Sequence, residues 1–225
     1  MRKWTLLEQA AAPGGATMTL HQSGNDYAIR VNGRELMSSL HHQSEDALAY
    51  AASDHLKSTR APKVLIGGLG LGYTLKAALA TLPEDATVVV AELLPEVLRW
   101  NSNPAYALAA DALKDRRTKV EMGDVADVIK RQSAQFHAIL LDADNETTAM
   151  NTAGNAELYQ LSGLAAVHGA LKPGGIVVYW SAGDDPRFKK LMGKSGFQVS
   201  TQRIRPTGGS GGSSGGQHFL FLGKR

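Results

Sequence analysis

The sequence predicts an α/β protein: a mostly parallel sheet with helices on both faces, a C-terminal antiparallel strand pair and a small N-terminal β-hairpin unit. Three observations predict it. From Pro62 onward, short apolar runs alternate with stretches of helical periodicity, the pattern of βαβ units. A glycine-rich turn, Gly67 to Gly72, follows the first of those runs. The last two β-like runs have no helix between them, so they are expected to pair antiparallel at the sheet edge.

The first 45 residues differ from the rest. Thr17 to Leu20 and Tyr27 to Val31 are β-like runs separated by Gly24-Asn25-Asp26, and Asn32-Gly33 marks a second turn before Glu35-Leu36-Met37. A unit of this size is not stable alone, so residues 1–45 are expected to pack on a main domain at 46–225. Ser44 to Lys57 carries apolar residues at helical spacing. Strands are then expected at Val64–Ile66, Thr87–Ala91, Val120–Met122, Phe136–Leu141 and Ile176–Trp180. Helices are expected over 75–82, Pro95–Asn101, Pro104–Lys114, 125–129, Glu157–Leu171 and Pro186–Ser195. The edge pair is Phe197–Ile204 and His218–Leu222. Residues 208–216 between them are Gly and Ser alone, a flexible composition that fits a natural loop and an engineered replacement equally.

Composition excludes several classes. The chain of 225 residues is 43% hydrophobic and 20% charged, ordinary for a globular protein. It has no Cys, which removes disulfides, thiolate metal sites and a Cys nucleophile. A net charge of +3 with scattered Lys and Arg leaves no nucleic-acid footprint. No apolar run reaches membrane length. Met1-Arg2-Lys3 reaches Glu8 and Gln9 before any long apolar stretch, unlike a secretory signal. A cytoplasmic location is expected.

Candidate site residues lie at the ends of the expected strands, where open α/β sheets bind ligands. Gly67, Gly68, Gly70 and Gly72 let backbone approach a ligand closely; a simple tight turn is the plainer reading. Glu92, about 20 residues further on, suits both hydroxyls of a ribose, or a helix start before Pro95. Asp124 after Gly123 suits an adenine amino group, or the N-cap of the next helix. Asp142 and Asp144 suit a cationic substrate or proton removal from an amine, or solvated turns. Trp180 lines the pocket or fills the core. His41-His42 is a poor chelating pair and nothing completes it, so no metal site is expected. Gly-x-Ser-x-Gly occurs only in the Gly/Ser linker, and no Lys-Ser/Thr follows the glycines, which argues against a serine hydrolase and a nucleoside triphosphatase.

The turn, Glu92, Gly123-Asp124, the strand ending at Asp142, and Leu171-Lys172-Pro173-Gly174-Gly175 together resemble class I S-adenosylmethionine-dependent transferases. Within these the chain is similar to the spermidine synthase (polyamine aminopropyltransferase) group, through Asn32-Gly33-Arg34-Glu35-Leu36-Met37-Ser38-Ser39 and His42-Gln43-Ser44-Glu45. The resemblance implies a Rossmann-like methyltransferase fold and an S-adenosylmethionine or decarboxylated S-adenosylmethionine donor. Its glycines would face the methionine part, with Glu92 on ribose, Asp124 on adenine and Asp142 on an amine acceptor. Leu69 stands where that group carries an Asp, and its Tyr-His-Glu segment here reads His41-His42-Gln43-Ser44-Glu45, without Tyr. The expected function is alkyl transfer to a small nucleophile, an amine, with Leu69 tilting the choice to methyl over aminopropyl transfer. A non-catalytic nucleotide-binding protein is the alternative of another class. An NAD-dependent oxidoreductase shares the glycines and Glu92 but not Asp124 or the terminal strand pair. A homodimer is a further expectation.

Overall fold

The structure, a computed structural model, describes residues 3–142, 156–204 and 218–225. Its first part is an antiparallel sheet of four strands in order β1-β2-β3-β4: β1 Thr5–Ala11, β2 Thr17–Ser23, β3 Asp26–Val31 and β4 Arg34–Ser38. The sequence reading finds the hairpin but not β1. That strand is mostly exposed, and a register shift between Leu6 and Glu8 interrupts its alternation, so no apolar face is written into it. The β3–β4 turn is Asn32-Gly33 as expected, with both residues at positive φ (49° and 80°), the geometry of a tight hairpin turn.

The main unit alternates as the sequence predicts. Helix α1 (Gln43–Leu56) leads to β5 (Lys63–Gly67), α2 (Tyr73–Thr81), β6 (Thr87–Glu92), α3 (Pro95–Ser102), α4 (Ala110–Lys114), β7 (Thr118–Met122), α5 (Val125–Lys130) and β8 (Phe136–Leu141). Then come α6 (Leu161–Ala170), β9 (Leu171–Ser181), α7 (Pro186–Lys194), β10 (Gln198–Ile204) and β11 (His218–Lys224). The sheet has seven strands in order β10-β11-β9-β8-β5-β6-β7. Strands β5 to β9 are parallel, and β11 runs antiparallel to both β9 and β10. The chain winds outward from β5 to β7 and then restarts at β8 on the other side. The switch point, where a ligand crevice opens, therefore lies between β5 and β8. No described helix is long and apolar enough to cross a membrane.

Three expected elements differ. The helix expected over Glu157–Leu171 begins at Leu161 and ends at Ala170, with Leu171 already in β9. The helical stretch from Pro104 is helical only over α4, because the Asn103 side chain caps a turn by accepting from the Ala105 N–H at 3.0 Å. The stop signal Lys172-Pro173-Gly174-Gly175 lies within β9 rather than before it. There Leu171 pairs with Phe136 and Ile176 with Ala138, so the intervening residues bulge, with Gly174 at φ 77°.

Alternate residues of the sheet feed two hydrophobic clusters. On one face Val64, Ile66, Val88, Val90, Leu140, Val178 and Leu220 join α1, α2 and the N-terminal sheet residues Met18, Leu20, Ile29 and Val31. On the other, Leu65, Val89, Ile139, Leu141, Val177, Tyr179 and Phe221 meet α5, α6 and α7. Because the N-terminal sheet shares the first cluster, Ile29→Ala, at a side chain only 1% exposed, should destabilise the whole chain by about 2–5 kcal/mol. Thermal unfolding should then show one transition moved to lower temperature. An unmoved main transition with a separate early one would mean the sheet unfolds independently.

Candidate functional site

A cavity of about 350 Å³ lies at the carboxyl ends of the parallel strands, under the N-terminal sheet. Its floor is the turn after β5. Gly67, Gly68 and Gly70 line it, whereas Gly72 does not. The four glycines are needed for different reasons. Gly68 has φ 89° and nothing within 4 Å of where a Cβ would stand, so its open side is the cavity. A Cβ at Gly70 (φ 54°) would come 2.8 Å from the Met37 sulfur. Gly70 is therefore approached from the N-terminal sheet by Met37 as well as lining the cavity. Gly67 is packed, its missing Cβ 2.9 Å from Leu141 Cδ2 and 3.1 Å from Val125 Cγ2. Gly72 (φ 78°) presses against Ala109, the residue before α4, so its need is packing against that loop.

Glu92 ends β6 only 6% exposed and lines the cavity. Its Oε2 accepts from the Leu69 N–H and its Oε1 from the Leu94 N–H, both at 2.8 Å. Burial pushes this carboxyl upward, against the pull of backbone N–H groups of Leu94, Leu69, Leu93 and Gly70. Glu92 therefore shapes the glycine turn as well as facing the cavity, and neither reading of the sequence contains that bond. Asp124 is the N-cap of α5, accepting from the Ala126 N–H at 2.9 Å, and it also lines the cavity.

Asp142 follows β8 on the far side of the turn and also lines the cavity. Leu140 faces the first cluster and Leu141 the second, so strand alternation turns Asp142 to the first-cluster face. Trp180 packs against that same cluster at the end of β9, which adjoins β8, and lines the cavity with His218, 5.0 Å away edge to face. Asp144 lies outside the described residues.

The structure adds acids that the sequence reading did not single out. Glu35 from β4 and Glu45 from the first turn of α1 both line the cavity. Ser44 Oγ donates to Glu45 Oε2 at 2.7 Å, and burial raises the Glu45 carboxyl above its usual value, with neighbouring Asp46 adding to the rise. In sequence, Glu45 reads as an ordinary helix-start acid, and only tertiary packing brings it to the strand ends. His41 lines the cavity, whereas His42 stacks on Tyr73 with ring centroids 4.0 Å apart and pairs with Asp46 at 2.8 Å. No group of three or more His, Cys, Asp or Glu able to hold a metal occurs among the described residues.

The charge is one-sided. Glu35, Glu45, Glu92, Asp124 and Asp142 line the cavity, and no Lys or Arg does so among the described residues. The chain as a whole is +3, so the acidity is local.

No protein-family model and no curated protein sequence matches the chain. In three dimensions it is similar to spermidine synthase from Thermotoga maritima, at 16% identity over 97% of this chain and 72% of that one, with a TM-score of 0.75. A spermidine synthase in complex with the transition state analogue AdoDATO gives 15% identity over 97% and 72%, TM-score 0.73. The CurJ carbon methyltransferase gives 15% over 80% of this chain and 53% of that one, TM-score 0.55. At such identities the likeness establishes the fold, the Rossmann-like one that the resemblance implied. It extends over the N-terminal sheet in the synthases.

The raised carboxyl of Glu92 has a consequence for stability. A folded-state value above the ordinary 4.5 means that the folded protein holds the proton more tightly. The stabilisation is complete below 4.5 and is lost as pH rises through the raised value. Urea midpoints of wild type and Glu92→Gln, compared from acid to neutral pH, should show the wild type losing ground to the variant across that window. A gain with rising pH would mean that the ionised form is the one the fold favours.

Proposed function

We propose that this protein is a transferase that alkylates an amine with an S-adenosyl donor. The observation that carries this reading is one crevice bounded by the open backbone at Gly68, by Glu92 and Asp124 at adjoining strand ends, and by Asp142 across the switch point. Glu92 is suited to accept from the ribose hydroxyls with the lone pairs that its backbone bonds leave over. Asp124 is suited to accept from the adenine amino group. Leu93 and Val125, which also line the cavity, offer apolar surface to the base. A sulfonium donor supplies a carbon that an amine nitrogen can displace with a thioether as leaving group. The chain's own task is to hold donor and acceptor in line. Asp142 orients the acceptor nitrogen and takes the proton released as the new N–C bond forms.

The cavity charge favours aminopropyl over methyl transfer. S-adenosylmethionine carries a carboxylate, which would meet acids with no Lys or Arg beside it among the described lining residues. The decarboxylated donor carries a sulfonium and an ammonium and no anion. The similarity of both sheets to spermidine synthases supports the same reading. Methyl transfer from S-adenosylmethionine is the second reading, favoured by Leu69 where an acid would meet the donor amine. Leu69 is 5% exposed and joins the first hydrophobic cluster, outside the cavity lining. It removes a charge there without blocking the space, and Glu35 and Glu45 supply acids from the N-terminal side.

Incubation with each donor and a panel of mono-, di- and polyamines, read by mass spectrometry, tests both levels. Product is expected from the decarboxylated donor alone. A methylated amine from S-adenosylmethionine would reassign the group. Tight donor binding without turnover across the panel would make the protein a non-catalytic nucleotide binder. Asp142→Asn should leave donor affinity within about twofold while lowering turnover on the order of a hundredfold or more. Equal turnover would remove its assigned role.

A further inference from the structure

We propose that Asn101 is the positioning residue that sets the shape of the donor-binding turn. Asn101 sits in α3, is 0% exposed and does not line the cavity. Its Nδ2 donates to the carbonyl oxygen of Gly70 at 2.8 Å and to that of Val97, one helical turn back, at 2.9 Å. The first bond reaches out of the helix to the middle of the glycine turn. The second holds the side chain in the rotamer that makes the first. Only an amide nitrogen can serve both acceptors, because a carboxylate or a flipped amide would bring oxygen against two carbonyls.

The other anchors of the turn act on N–H groups, the Gly70 N–H among them through Glu92, and none of them holds the Gly70 carbonyl. Gly68 donates to the Ala91 carbonyl at 2.8 Å, Leu69 to Glu92 at 2.8 Å, and Gly72 closes back on the Leu69 carbonyl at 2.7 Å. Gly70 is the residue at φ 54° that lines the cavity between them. A residue without Cβ in a left-handed conformation is free to leave it. Asn101 removes that freedom at the carbonyl, while Met37 closes the opposite side. The amide oxygen Oδ1 is buried and has no hydrogen-bond partner among the described residues. A lone buried acceptor carries a desolvation cost, and the same side chain supplies the bonds that hold the turn. A Leu or Ala would pack the core without that cost and without the clamp.

The effect on donor binding rests on the functional reading above; the effect on the turn does not. Asn101→Ala is compared with Ile129→Ala, a 0% exposed side chain in the opposite cluster, as a control for general destabilisation. In the ligand-free protein, amide hydrogen exchange at Leu69 and Gly72 should quicken by about tenfold or more in Asn101→Ala and stay near wild type in Ile129→Ala. Calorimetry with decarboxylated S-adenosylmethionine should give about tenfold weaker binding for Asn101→Ala alone, and acceptor KM at saturating donor should be unchanged. Equal exchange in both variants, each folded by circular dichroism, would overturn the clamp. Changed exchange with no donor binding even by wild type would leave the clamp standing and overturn the functional reading.

Discussion

The site depends on one buried carboxylate. Glu92 stands at the end of β6 with both oxygens engaged by main-chain N–H groups, one from the turn after β5 and one from its own strand end. Without it, the Leu69 N–H would be buried with no partner, a cost of about 1–3 kcal/mol. With it, two neighbouring parallel strands share a single rigid rim. Burying a carboxyl is itself unfavourable, which the upward displacement of its pKa records. One group serves two ends: it fixes the backbone of the glycine turn, and it remains on the cavity wall as an acceptor.

The second support is the N-terminal sheet. Met18, Leu20, Ile29 and Val31 belong to the same hydrophobic cluster as Ile66 and Leu140, so the core is continuous across the boundary drawn at residue 45. Met37 rests against Gly70, and His41, Ser44 and Glu45 bring the start of α1 to the cavity. Roof and floor therefore stand on the same packed side chains. A displacement of the sheet would move the acids at one end of the cavity and the contact that backs the turn together.

Much of the fold was legible because parallel strands buried on both faces are written as unbroken apolar runs, as in Val88 to Ala91 or Ile139 to Leu141. Strand β1 was not, since it is mostly exposed and broken by a register shift. At the site, residues that follow directly on strand ends were legible from topology alone: Glu92, Asp124 and Asp142 all line one cavity. Residues that arrive by tertiary packing were not. Glu35 and Glu45 come from the N-terminal side, and Asn101 appears in sequence as one polar residue near the end of a helix. The glycines were found as a set, yet their separate duties could not be, because spacing records permissive backbone and not what each missing Cβ would touch. Open space at Gly68, a sulfur at Gly70 and the residue just before α4 at Gly72 are differences that only coordinates carry.

Leu69 weighs differently in the sequence and in the folded chain. In sequence, loss of an acid from the turn argues for a donor that keeps its carboxylate. In the folded chain the leucine side chain joins the core, and the cavity is lined by acids from five other segments with no described Lys or Arg to oppose them. A carboxylate entering that space would lose hydration and face like charges, and water alone would have to screen them. An ammonium would meet partners whichever acid it approached. On the proposed reading, donor preference follows from the sum of the wall and not from residue 69. On the proposed reading, recognition of a cationic donor tail falls to Glu35 in β4 and Glu45 at the start of α1, and so depends on the N-terminal sheet staying in place.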